Sequence, residues 1–267
     1  MTFFDYSTYW GIFPLGILIA TLAMSTGIDG AVFWAPVLLF LYKLDPITAI
    51  ACGIFIEVFG FGSGVYGYAI KKKIRYREAF ELMLFTIPFG LLGAFASKLL
   101  PGKVLISLIG ISSIILIFNN IYRAKQKIKE RSFDKLFLKN KPLGYFLSAL
   151  GGFFTGTIGV GIGEANHYYL LMKNRYPVVW CSGTTVFMIA ITAFVASVFN
   201  FFYFREGHAV HLIEIYNIVF FAIPGVLIGS RLGVLVAHRI KRKTFNYFIS
   251  VIFTVIAILS FYRVLFT

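Results

Sequence analysis

Gly27-Ile28-Asp29-Gly30 and Gly156-Thr157-Ile158-Gly159-Val160-Gly161-Ile162-Gly163-Glu164 interrupt sequence that is otherwise almost continuously apolar. Lipid offers no hydrogen bonds to an unwound backbone. An interruption at membrane depth therefore persists only where protein packs around it or where it lines a cavity. Two such breaks at matching places in two halves of a chain point to the binding site of a secondary transporter.

The rest of the chain fits that reading. Its 267 residues are 59% hydrophobic, 18% aromatic and 13% charged, more apolar surface than one soluble core can hide. An all-α, polytopic membrane protein follows. The net charge of +14 does not imply a nucleic-acid partner, because the Lys and Arg residues sit in short clusters between apolar stretches, as in cytoplasmic loops. Cys52 and Cys181 fall early in apolar stretches, with no CxxC or Cys/His spacing. Neither a metal, another cofactor nor a disulfide is expected. The segment Met1 to Tyr6 lacks the basic region of a signal peptide, and no small-residue cleavage site follows, so the first apolar stretch is expected to stay in the mature fold.

Ten apolar pieces run over about 9–25, 28–42, 46–70, 79–100, 104–122, 142–158, 161–172, 177–204, 212–237 and 244–265. A helix rises about 1.5 Å per residue, so crossing a hydrocarbon core of about 30 Å takes about 20 residues. The pieces at 28–42, 142–158 and 161–172 are short for that. Loop charge admits either two thin spans or a re-entrant hairpin; length and the glycine tips favour hairpins.

Basic clusters at Lys71 to Arg77, Arg123 to Lys141, Lys173 with Arg175, and Arg239 to Lys243 mark the cytoplasmic side. Both termini then lie outside. Each half becomes a broken-helix hairpin followed by three transmembrane helices, and three crossings invert one half relative to the other. The expected divisions are a first repeat over 1–123, a basic cytoplasmic linker over 124–141 and a second repeat over 142–267, together forming one membrane domain. A surface helix around Phe133, Leu136 and Phe137 is the alternative to a solvated linker.

Sequence likeness between the halves agrees. Ile87-Pro88-Phe89-Gly90-Leu91-Leu92-Gly93-Ala94 matches Ile223-Pro224-Gly225-Val226-Leu227-Ile228-Gly229-Ser230. Gly27 to Ala31 matches Gly161 to Ala165, and Pro46 with Gly53 matches Pro177 with Gly183. The Pro and Gly pairs read as kinked, close-packed membrane helices. Inverted repeats place a substrate near the midplane where the tips meet.

Chemistry at the tips narrows the cargo. Backbone N–H groups in a glycine turn form a concavity for anionic oxygens without a buried Arg, which makes Gly27, Gly30, Gly159, Gly161 and Gly163 candidate substrate contacts. Plain helix crossing is the alternative for Gly152 and Gly156. Ionisable groups at depth are costly and commonly functional. Asp29, Glu57 and Glu164 are the candidate proton carriers, and Asp29 also a substrate contact. Capping of a broken helix is the competing role for Asp29 and Glu164. Pairing between Glu57 and Arg231, or snorkelling of Arg231 toward the membrane surface, is a further option, and Asn166 and His167 are candidate donors to the substrate.

At these residues the chain resembles the sulfite exporter TauE/SafE family of small membrane carriers. The resemblance spans about residues 10–265 and rests on the GIxG run with Pro36 after it, on Gly152, Gly156, Gly159, Gly161 and Gly163, and on Ser182-Gly183-Thr184-Thr185 after Pro177. It implies transport of sulfite, sulfonates or related sulfur-containing anions. Cys52, Cys181, Thr184 and Thr185 stand at positions similar to those that face the family's pocket, and Gly53 is a further candidate substrate contact. The chain departs from the pattern at Asp29 and Ala31, at Glu164 and Ala165, and at Leu170, which replaces a second proline.

The expected function is alternating-access transport of a small sulfur-containing or other organic anion across the cell (inner) membrane, with protons as candidate co-ions. An anion channel is the alternative. A membrane-embedded enzyme is a third class, seeded only by Glu164 with His167. A homodimer stays open, since the aromatic residues mark no seam.

Overall fold

The computed structural model describes residues 9–125, 138–205, 209–236 and 242–266. Every regular element among them is helical. The first half contains α1 (Ile12–Thr26), α2 (Ala31–Phe40), α3 (Pro46–Ile70), α4 (Tyr76–Leu99) and α5 (Gly102–Lys125). The second contains α6 (Lys141–Ile158), α7 (Ile162–Tyr168) running on into a π-helical turn (Tyr169–Lys173), α8 (Val178–Arg205), α9 (Ala209–Val236) and α10 (Arg242–Phe266).

Among the described residues, six helices are long and apolar enough to cross a membrane, three in each half. Their outer faces carry large apolar side chains such as Leu84, Phe118 and Val251, each more than 60% exposed. Water would reject that surface and lipid accepts it.

Local chemistry sets the helix ends. Pro46 takes the first position of α3, and the Asp45 carboxylate accepts the Thr48 N–H at 3.0 Å, a capping arrangement suited to a helix start. The hairpin helices stop differently. Gly27 has φ of 72° and donates its N–H to Ala23 O at 2.8 Å, while Gly159 has φ of 75° and donates to Thr155 O at 2.9 Å. Both are left-handed caps, which a side chain would strain.

Packing between the halves is reciprocal. α1 lies along α9 and α4 lies along α6, so the first helix of each half pairs with the proline-bearing fourth helix of the other. α5 pairs with α10, and α3 meets α8. A Cβ added to Gly93 would collide with Phe153 O, and one added to Gly229 would collide with Ile17 O. The repeated Pro-x4-Gly element is thus a close-approach face, where small residues let backbones touch.

Several basic stretches gather on one face. Lys71 Nζ donates to Val234 O at 3.2 Å at the end of α9, and Arg75 N–H donates to Thr184 Oγ1 at 3.1 Å near the start of α8. Lys141 Nζ, opening α6, stands 2.7 Å from Glu81 Oε1 on α4. Residues 126–137 of the connector, including Phe133, Leu136 and Phe137, lie outside the described residues, as do Asp5 and Thr267 near the termini.

Arg123 departs from its assignment to a cytoplasmic loop. α5 continues through it, and only 5% of its surface is exposed.

Candidate functional site

The two breaks meet. A Cβ built on Gly163 would stand 2.7 Å from both Asp29 N and Gly27 O, and one on Gly159 would stand 2.7 Å from the Ala31 Cβ. Only glycine lets the backbones of the two tips approach so closely.

Asp29, fully buried, reaches from the first tip into the second. Its Oδ2 accepts the N–H of Gly161 at 2.7 Å, the N–H of Gly163 at 3.1 Å and the Thr155 hydroxyl at 3.3 Å. Thr155 Oγ1 also accepts the Ile162 N–H at 2.8 Å. The first turn of α7 has no intrahelical partners for these donors, and a carboxylate meets both that need and the positive end of the helix. Asp29 does cap a broken helix, but the helix belongs to the other half.

Glu57 does the equivalent for α2. Its Oε1 accepts the Ala31 N–H at 2.7 Å from within the same half. Pairing of Glu57 with Arg231 is corrected by this geometry, since Glu57 is buried and Arg231 is exposed. A helix N-terminus supplies positive potential without a cation.

Glu164 completes a trio of buried carboxyls. Its carboxyl faces that of Asp29 within hydrogen-bonding reach. Both Glu164 oxygens, Asp29 Oδ1 and Glu57 Oε2 have no donor among the described residues. Two carboxylates cannot donate to each other, so a proton shared between Asp29 and Glu164 would supply the missing bond.

The other candidates divide between tip contacts and supports. Gly30 precedes α2 beside Glu57 and Phe61, and Gly53 packs on Ala31 and Trp34. His167 lies against Gly27, bonds through Nδ1 to the Arg123 guanidinium and turns Nε2 to Ser182 Oγ at 3.4 Å. Asn166 is spent within its own elbow: Oδ1 accepts the Ser148 hydroxyl at 2.6 Å and Nδ2 donates to Ile162 O at 3.2 Å. The Cys52 thiol faces Ile215 O and the Cys181 thiol faces Tyr176 O. Thr184 caps the backbone before α4 on the basic face rather than touching a tip.

Its neighbours Ser182 and Thr185 make the tip contacts instead. Ser182 Oγ donates to Thr26 O at 3.4 Å and Tyr68 donates to Met24 O at 2.8 Å, while Thr185 Oγ1 lies 3.5 Å from Gly27 O but nearer, at 2.9 Å, to Cys181 O of its own helix. Ser182 and Tyr68 satisfy carbonyls left open where α1 ends. Sequence offered a signal for Ser182 and Thr185 in the Ser-Gly-Thr-Thr run, but none that singled out Thr155, Tyr68 or Arg123. Beside the second tip, a cavity of about 380 Å³ lies between α5, α6 and α7, with Gly161 and Glu164 on a wall otherwise dominated by apolar side chains such as Leu116 and Phe154.

Comparison with known proteins agrees with this architecture. The family described as sulfite exporter TauE/SafE matches residues 12–260. The chain is 20% identical to the probable membrane transporter protein YunE of Bacillus subtilis (strain 168), over 95% of this chain and 97% of that protein. No solved structure matches. The chain belongs to the sulfite exporter TauE/SafE family and is a multi-pass membrane transporter.

Proposed function

We propose that this member of the TauE/SafE family is a secondary carrier for a small sulfur-containing anion, sulfite or a sulfonate, held where the broken helices meet. The single observation that carries the reading is the Asp29 carboxylate on the Gly161 and Gly163 amides. Those donors form a preorganised cradle for anionic oxygen, and the same N–H groups suit sulfonate or sulfite oxygens. Arg123 and His167, behind Gly27, add positive and polar groups on one flank of the tips.

Alternating access follows from two halves, 1–123 and 142–267, inverted about the meeting point and joined by the 124–141 linker. The reciprocal packing of α1 on α9 and α6 on α4 supports that symmetry, and the cavity beside α5 gives the second elbow room to shift. The basic face lies in the cytoplasm and the termini outside, in the cell (inner) membrane. Asp29 and Glu164 carry the coupled proton, with Glu57 capping α2.

The test is uptake by proteoliposomes of sulfite, thiosulfate, sulfonates and carboxylates, with and without a pH gradient. Saturable uptake of sulfur oxyanions that strengthens with an acidic donor side is expected. Failure to move any sulfur anion, or currents beyond carrier turnover without proton coupling, would contradict the reading.

A further inference from the structure

The amides assigned above to the cargo are already engaged by the protein's own carboxylate. Asp29 Oδ2 takes both glycine N–H groups and the Thr155 hydroxyl, and each of those donors has a single hydrogen to give. An incoming oxyanion can gain them only if Asp29 leaves. The protein also holds acceptors for a departing Asp29: both oxygens of the facing Glu164 carboxyl are buried and without a donor among the described residues.

We propose that Asp29 is a tethered stand-in for the cargo, and that a small oxyanion takes its place on the Gly161 and Gly163 amides when Asp29 is protonated and turns away. This rests on the reading of the tips as the anion site. The exchange balances. One proton converts the Asp29 carboxylate to a neutral carboxyl, the freed amides receive one monoanion, and the site's net charge is unchanged. Proton and monoanion therefore cross together without net charge movement.

The groups around Asp29 favour exchange over simple addition. Glu57 faces it from α3 and is itself held by the Ala31 N–H; Glu164 faces it from α7. His167, also on α7, is bonded to Arg123 of α5, while α6 contributes Thr155 and α8 contributes Ser182 and Thr185. Adding cargo beside an ionised Asp29 would crowd another negative charge against these carboxyls in a medium that screens poorly. Replacing Asp29 avoids that repulsion.

The test uses the purified full chain and methanesulfonate, whose charge is constant across the range examined. Binding is measured by calorimetry from about pH 8 to about pH 5, the span over which a buried carboxyl can take up its proton. Wild-type affinity should rise at least about tenfold as pH falls, the scale of losing one charge-assisted hydrogen bond. Asp29→Ala should bind at least about tenfold more tightly than wild type at the alkaline end and lose the pH response. Asp29→Asn, which keeps a side chain to bridge the halves, should lose the pH response as well and decides the matter if the alanine variant does not fold. Should either folded variant bind no more tightly than wild type and keep its pH response, the stand-in role is overturned, while wild-type uptake of methanesulfonate would leave the carrier reading intact. Absence of both binding and uptake of any sulfur anion by wild type would overturn both.

Discussion

The two half-helix starts, α2 and α7, solve one problem in different ways. α2 is capped by Glu57, which comes from α3 in the same half, whereas α7 is capped by Asp29 from the opposite half. The reason is visible in α8, the counterpart of α3: between Val178 and Arg205 it contains no Asp or Glu. The second tip's own acid, Glu164, lies within the first turn of α7 with no donor on either oxygen among the described residues, so the cap is borrowed from Asp29. A change at Glu57 is thus a change inside one half, while a change at Asp29 alters the contact between halves, where the proposed carrier must move.

The largest effect should come from forcing the tips apart. Leucine at Gly163 would place a side chain where a Cβ alone already stands 2.7 Å from Asp29 N. Gly163→Leu is expected to reduce uptake to background and to lower stability by about 1–3 kcal/mol, the usual cost of overpacking, read from uptake and thermal unfolding. Normal uptake by this variant would break the comparison, since the tips could not then be in contact.

A smaller effect is expected at the tip that caps itself. In Glu57→Gln the amide oxygen still accepts the Ala31 N–H, but the charge facing the start of α2 is gone. Uptake should fall by no more than about fivefold, in line with a helix-end charge effect of about 1 kcal/mol, and its pH response should survive. Loss of the pH response here, with retention in the Asp29 variants, would reverse the roles assigned to the two acids.

Much of the helical framework was legible because lipid restricts the options. Apolar length, Pro46 and Pro177 at span starts, and glycines at the breaks marked elements that the structure places within a few residues. Partners were less legible. Asp29 and Gly161 are 132 residues apart, and one chain's pattern does not say which tip carboxyl meets which tip amide. Sequence offered Arg231 to Glu57 because opposite charges are easy to pair on paper, yet the backbone at Ala31 meets the need. Arg123 was hidden among basic neighbours: charge marks the side of a membrane, not whether the last turn of α5 folds inward against His167. Thr184 and Thr185 are adjacent in sequence but face different places, a distinction set by helix rotation rather than residue type.

The central claim is that the breaks of the two halves touch, and a cysteine pair tests it most directly. With the buried Cys52 and Cys181 replaced by serine, Asp29→Cys and Thr155→Cys are combined, because these side chains already meet at 3.3 Å across the halves. A protease site in the connector lets the halves separate on a gel. Mild oxidant in native membranes should hold the two fragments together until a reductant is added, as it should for a control pair at Thr86 and Thr192, whose hydroxyls are 3.3 Å apart. Fragments that separate under oxidant while the control pair joins would contradict the account.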